Sequence, residues 1–339
     1  MFRTTLKPFS LFCSVALALA HFQALTATLY YGGDILTMEG DSPQYVESLL
    51  VDRGKIIFTG NRKDAEKLSD NSVTLIDLQG MTLVPGFIDG HSHFFGFGAQ
   101  AVTANLLASP DGEVNDIPTM LKTLKSWYQE NGTDKTQGWI VGMGFDDAVL
   151  KENRFPTRHD LDQVSENIPI MVVHISGHFS VVNSKGLAML GIDANSENPS
   201  GGVIRREQDD KTPNGVLEEL AAIPAMIKMI SPATPEIANY YIEQAQKTAV
   251  SYGYTTAQEG RAMGNHEQLA AFAEAGKFYI DVNSYVDYSM PQYMNSKWFG
   301  RDYKNGYRIA GLKLTLDGSP QGRTAWRTKE YLLPPDGQE

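Results

Sequence analysis

Thiol chemistry is almost absent from this sequence. Its 339 residues hold one cysteine, Cys13, inside an N-terminal apolar run, so the rest of the chain has no disulfide, thiolate nucleophile or cysteine-ligated metal. No apolar run reaches the roughly 20 residues that a membrane-spanning helix needs. The G-x-S-x-G nucleophile elbow is missing, which removes the serine α/β-hydrolase pattern. Positive charge is in deficit: 29 Lys and Arg against 40 Asp and Glu give a net charge of −11. Such a surface disfavours nucleic acid and anionic membranes as partners. Histidine is scarce, seven in all, and none follows His266.

What is present suits a globular protein: 42% apolar residues, 20% charged, and 31 glycines, enough for a fold with many tight βα turns. Arg3 and Lys7 precede a run of about a dozen apolar residues, and Ala18-Leu19-Ala20 has the small-x-small form of a signal peptidase site. Residues 1–20 are therefore expected to be a signal peptide. The protein is expected to be exported, periplasmic or secreted, with no membrane attachment after cleavage.

Residues 27–85 read as short β-branched or aromatic strands broken by Gly, Asp and Asn, with a hairpin turn at Asp52-Arg53-Gly54. Residues 95–233 carry mixed signals. They include an amphipathic helix near 117–131, strands at 139–143 and 170–176, a hairpin-like region around 199–216, and a helix over 185–190 capped by Ser184. After residue 235 the rhythm becomes regular. A helix at 235–252 leads to a strand at 255–259, a helix at 266–275 to a strand at 279–286, and a last strand covers 309–316. Strands alternating with helices at about 30 residues imply a parallel sheet.

His91-Ser92-His93 carries the chemistry. On a strand, residues i and i+2 share a face, so Asp89, His91 and His93 are expected to line one side of a strand over 87–93. Two imidazoles so placed can reach one metal ion, although the same spacing also arises incidentally at strand ends. In the last strand Lys313, Thr315 and Asp317 share one face, while Leu312, Leu314 and Leu316 share the other. That is the pattern of a barrel strand with leucines outward and polar groups inward. An ammonium in a barrel lumen is costly unless paired. Lys313 is therefore either paired with a carboxylate such as Asp317 or present as a neutral amine able to add CO2.

VPGFIDGHSHF at residues 84–94 resembles the first-strand signature of the amidohydrolase superfamily. GKIIFTG and IDLQGMTLVPG resemble its small β-sandwich lead-in, and HISGHFSVVNSKGL, GYTTAQEG and GLKLTLDGSPQGRTA resemble the amidohydrolase 3 (YtcJ-like) group. The resemblance runs from about residue 27 to the end. It implies an α/β fold, an incomplete TIM (β/α)8 barrel of the metal-dependent hydrolase type with a small N-terminal β-sandwich domain. Residues 27–85 would be the N-terminal part of the sandwich, and residues 86–339 would hold barrel strands 1–4 with a large insertion at about 95–233. On that count Lys313 lies on strand 4, whereas a count that admits the strands at 139–143 and 170–176 to the barrel puts it on strand 6. The resemblance also implies metal-assisted hydrolysis of carbon–nitrogen bonds in amides or cyclic amides, with one or two divalent ions, zinc above all. His91 and His93 would be ligands and Lys313, as its carbamate, a bridge.

The insertion would face the site, which makes His178 either a substrate contact or a structural histidine near a helix cap. Arg323 could bind a substrate carboxylate or be an ordinary surface arginine. Glu259 and His174 have no assigned role. The expected partner is a small-molecule substrate, with a homo-oligomer open. Relatives of this kind also use a histidine from strand 5, another from strand 6 and an aspartate from strand 8 as general base. None of these is assignable here, so no catalytic residue is named and the sequence is expected to be a fragment of a longer protein. A truncated gene would instead leave an inactive remnant acting at most as a binding protein.

Overall fold

The computed structural model describes residues 27–69, 72–208, 211–230, 234–317, 320 and 325–332. The leader expected over residues 1–20 and Arg323 lie outside the described residues. The chain divides into two compact units, Met1–Pro85 and Gly86–Glu339.

In the first unit, β1 (Thr28–Leu36), β2 (Tyr45–Asp52), β3 (Lys55–Gly60), α1 (Arg62–Leu68) and β4 (Thr74–Asp77) follow in order. They make one sheet in the order β3-β2-β1-β4, with β1 and β4 parallel. The β2–β3 turn has positive φ at both Arg53 and Gly54. This is the handedness that matches the twist of the flanking strands, and glycine tolerates it without strain. Helix α1, capped by Asn61 accepting the Asp64 N–H at 3.0 Å, joins Leu29, Leu50 and Ala65 in a small core. Ile56, Ile57 and Leu75 remain exposed. Of the expected sandwich, the described residues of this unit supply one layer, and no second sheet is present among them.

The second unit begins with β5 (Phe87–Ile88) and α2 (Phe94–Gln100). A separate array follows: β6 (Ala104–Asn105), α3 (Ile117–Asn131), β7 (Ile140–Phe145), α4 (Arg158–Asp162), β8 (Ile170–His174), β9 (Phe179–Val182), α5 (Ser184–Leu190), β10 (Gly202–Arg206), β11 (Pro213–Glu219) and α6 (Ile223–Ile230). Its strands form a six-stranded mixed sheet in the order β10-β11-β9-β8-β7-β6. Both faces of this sheet are covered. Ile170 and Val172 point into a core with Met120 and Leu124 of α3, while Met171 and Val173 point into another with Leu187 of α5 and Met226 of α6. Burial on both faces explains the unbroken apolar run of β8. Helix α5 is capped by Asn183, not by Ser184. The Asn183 side chain is fully buried, accepts the N–H groups of Gly186 and Ile170, and donates to the Ser165 and Ile168 carbonyls. Ser184 instead hydrogen-bonds Asp162 at 2.6 Å.

The chain then returns through α7 (Pro235–Ser251), β12 (Tyr254–Ala262), α8 (Asn265–Glu274), β13 (Asp281–Asp287) and β14 (Tyr307–Lys313). β14, β13, β12 and β5 pair in that order, all parallel, as a half-barrel. Its core packs Phe94 and Phe95 of α2, Tyr241 and Ile242 of α7 and Phe272 of α8 against Val282, Tyr307 and Ile309. The strands at 140–145 and 170–174 belong to the other sheet, so Lys313 closes the fourth strand of this one.

Two strands are shorter than expected. β5 stops at Ile88 because the Asp89 carboxylate takes the N–H groups of His91 (3.1 Å) and Gln258 (3.0 Å), which turns the chain out of the ladder. β14 stops at Lys313, where its pairing with β13 ends at Asp287↔Lys313. Leu314 and Leu316 beyond it are exposed. Among the described residues no helix is long and apolar enough to cross a membrane.

Candidate metal centre

Parallel strands bring their C-terminal ends to one edge, and in barrels that edge carries the chemistry. Here the edge collects the 89–93 turn after β5, Glu259 to Ala262 of β12, Asp287 of β13 and Lys313 of β14. His91 and His93 are both exposed, with ring centroids 5.6 Å apart and planes at 73°. They do not alternate along a strand. His91 sits in the turn, and His93 makes an isolated bridge to Glu259 and forms the N-cap of α2.

Each ring faces a partner on β12. His91 Nδ1 is 3.1 Å from Gln258 Oε1, while Gln258 Nε2 donates to the Gly90 carbonyl. The amide's nitrogen is thereby committed, so its oxygen accepts from His91, whose proton is on Nδ1. His93 Nδ1 is 3.7 Å from Glu259 Oε1. The Ser92 hydroxyl lies against Asp89 and 2.9 Å from the Gln258 carbonyl oxygen. Gly260 donates its N–H to the Ser92 carbonyl at 2.7 Å, and a Cβ there would come within 2.9 Å of the His91 ring. Only glycine lets β12 approach the turn this closely.

Asp287 is almost fully buried. It accepts from Arg261 Nε at 2.7 Å and from the Ser289 hydroxyl at 2.6 Å and N–H at 3.0 Å. Burial acts to raise its pKa, but the Ser289 and Arg261 hydrogen bonds outweigh it and hold the carboxyl below the usual carboxylate range. Lys313, half-buried, is its register partner. The Asp317 carboxylate accepts the Trp326 N–H at 2.9 Å.

The edge thus brings together His91, His93 and Lys313, and with them Gln258, Arg261 and Asp287, which the sequence did not single out. Their partners are distant in sequence, 167 residues away for Gln258, in the 89–93 turn, and 26 for Arg261, on β13. His178 lies in the six-stranded array, where its Nδ1 is 2.8 and 3.0 Å from the Glu219 carboxylate oxygens. His159 pairs with Glu207 at 3.0 Å. His266 is buried on α8 with Nδ1 2.9 Å from the Tyr307 hydroxyl, and burial lowers its pKa. That is a neutral structural histidine.

Asp146, Asp147 and His174 form a second group whose ligand-type atoms lie within 4.8 Å of one another. His174 Nε2 is 3.2 Å from Asp147 and 3.6 Å from Asp146, off the hydrogen-bonding line. The Ser176 backbone N–H donates to His174 Nδ1 at 3.1 Å, and the Ser176 hydroxyl lies 2.8 Å from the same nitrogen. Burial would raise the Asp147 pKa, but the neighbouring His174 ring holds that carboxyl below its usual range.

A family model described as the amidohydrolase family (Amidohydro_3) matches residues 74–339. The chain is 26% identical over 321 residues to the putative amidohydrolase YtcJ of Bacillus subtilis, covering 89% of this chain and 56% of that protein. It is 31% identical over 176 residues to the N-substituted formamide deformylase of Arthrobacter pascens, covering 52% of this chain and 31% of that enzyme. A crystal structure of an uncharacterized metal-dependent hydrolase from Pyrococcus horikoshii superposes with a TM-score of 0.64 at 25% identity, covering 90% of this chain and 57% of that one. The chain spans about half the length or less of the curated relatives it matches.

Proposed function

The chain belongs to the amidohydrolase family, in its YtcJ-like group, and from that premise we propose that it acts as a metal-dependent hydrolase of carbon–nitrogen bonds other than peptide bonds. The observation that carries the reading is the pair of exposed imidazoles at the C-terminal edge of the half-barrel. His91 fits a metal: its Nδ1 is spent on Gln258, which leaves the Nε2 lone pair to bind one. His91 and His93 would be ligands, and Lys313, as its carbamate, would be a shared ligand where two ions bind. Imidazole nitrogen with carboxylate-like oxygen suits zinc. When bound, the metal supplies Lewis acidity toward a scissile carbonyl and an attacking water.

The chain's own residues set the frame for that chemistry. Asp89 pins the 89–93 turn to β12, Gln258 orients His91, and Arg261 neutralises the buried Asp287 beside Lys313. Amides, cyclic amides and N-acyl or N-formyl compounds are the proposed substrates. Similarity to a formamide deformylase supports the N-formyl class. Export by way of residues 1–20 and recognition of a substrate carboxylate by Arg323 belong to the same proposal.

The test uses the protein as its gene encodes it. It is stripped with chelator, reloaded with zinc and assayed on a panel of N-formylamines, N-acyl amino acids and cyclic amides. Activity is expected to vanish with the metal and return with one or two equivalents per chain. Full activity in the stripped protein rules the reading out.

His178 is proposed as a substrate contact. Glu219 engages its Nδ1, so Nε2 can meet a substrate group. His178→Ala is expected to raise KM about tenfold and change kcat by less than about twofold, the signature of lost uniform binding. A fall in kcat at constant KM would reject this role.

A further inference from the structure

Helix α2 lacks the usual side-chain cap. Its N-cap residue is His93, whose ring makes no capping hydrogen bond. The orphan N–H of Phe95 is instead taken by Glu259 Oε2 at 2.9 Å, a contact made across 164 residues of sequence. The other oxygen, Oε1, accepts the Arg261 N–H at 3.2 Å and lies 3.7 Å from His93 Nδ1. Glu259 is almost entirely buried, with a side chain 2% exposed, whereas the His93 side chain is 54% exposed. A carboxylate is costly to bury unless hydrogen-bonded and charge-paired. Here it is satisfied by two backbone N–H groups and faced by one imidazole edge. Gln258, the residue before it, faces His91 and hydrogen-bonds it at 3.1 Å. Two consecutive residues of β12 thus serve the two histidines, one through a neutral amide and one through a carboxylate.

We propose that Glu259 is the positioning residue for His93. It fixes the first turn of α2, holds the ring's proton on Nδ1 and so turns Nε2 outward as the donor. This rests on the reading of His93 as a metal ligand.

Glu259→Gln keeps the support of α2, because the amide oxygen still accepts the Phe95 N–H, while the amide nitrogen replaces the oxygen that faces His93 and the Arg261 N–H. Two measurements decide the matter on the full protein. Long-range proton–nitrogen NMR of the metal-free form, with His93 identified by its own substitution, reads the tautomer. Competition against a chromophoric chelator, with zinc alone as the probe, reads affinity. We expect His93 in the Nδ1–H form in the wild type. In Glu259→Gln we expect a mixed tautomer and zinc affinity lower by roughly ten- to a hundredfold, with the protein still folded and its thermal midpoint lowered by the lost Arg261 N–H bond. His93 in the Nε2–H form in the wild type, or unchanged zinc affinity in Glu259→Gln, overturns the proposal. If the wild type binds no zinc yet holds His93 as Nδ1–H, the metal reading fails and the orienting contact stands.

Discussion

Replacing His91 or His93 with Asn should cost the protein about a thousandfold or more in turnover while leaving its fold almost untouched. Ligands of one metal act as a unit, so losing either forfeits most of what the ion supplies. A thousandfold corresponds to about 4 kcal/mol of transition-state stabilisation. The double variant should therefore be no worse than either single one. Stability should barely respond, because both rings are exposed and only His91 makes a side-chain hydrogen bond. Surface substitutions of this kind fall within about 0.5 kcal/mol, a shift of roughly 2 °C or less for a unit this size. The thermal midpoints must be compared in the metal-free forms, since bound metal adds its own stabilisation to the wild type. Kinetic assay and calorimetry on the same samples decide it. A variant that keeps more than about a tenth of wild-type turnover removes that histidine from the site. A large fall in midpoint would instead make it a structural residue.

These two histidines were legible in the sequence because they sit two residues apart after a short apolar strand and a Pro-Gly boundary. Their geometry was not. Alternation predicts one shared strand face, but the Asp89 carboxylate ends β5 after Ile88, and the two rings are placed by β12 instead. Glu259 has no readable role in the sequence, because His93, which it faces, is distant along the chain. The half-barrel could be read from the helix–strand rhythm after residue 235. The six-stranded sheet between the first and second of its strands could not be assembled from the pattern. With both faces of β8 buried, the period-2 signal that identifies a sheet and its register disappears, and mixed parallel and antiparallel pairing leaves no fixed repeat. The cap of α5 was misplaced by one residue because Asn183 and Ser184 are both good caps, and what selects Asn183 is its burial and its bonds to the 165–170 segment.

Lys313→Gln should cost at least a hundredfold in turnover, about 2.7 kcal/mol of lost transition-state stabilisation, and the reason lies in the company the lysine keeps. Its register partner Asp287 is the obvious counter-ion, yet that carboxylate is already engaged by Arg261 and Ser289, which hold it ionised without help from a lysine. An ammonium at this place has no carboxylate of its own among the described residues, while a carbamate would change the charge from +1 to −1 at the edge where two imidazoles wait. Carbamate formation joins the amine nitrogen to CO2 and releases a proton. It therefore needs the neutral amine, and stripping bicarbonate at low pH should reverse it. Equilibrating the metal-loaded protein with 13C-bicarbonate should reveal one carbamate carbon resonance, absent from Lys313→Gln and from protein prepared without CO2. Activity should fall and recover in step with that signal. If the resonance never forms, or if Lys313→Gln retains full turnover, the lysine is a plain lumen cation, and the metal reading then rests on His91 and His93 alone.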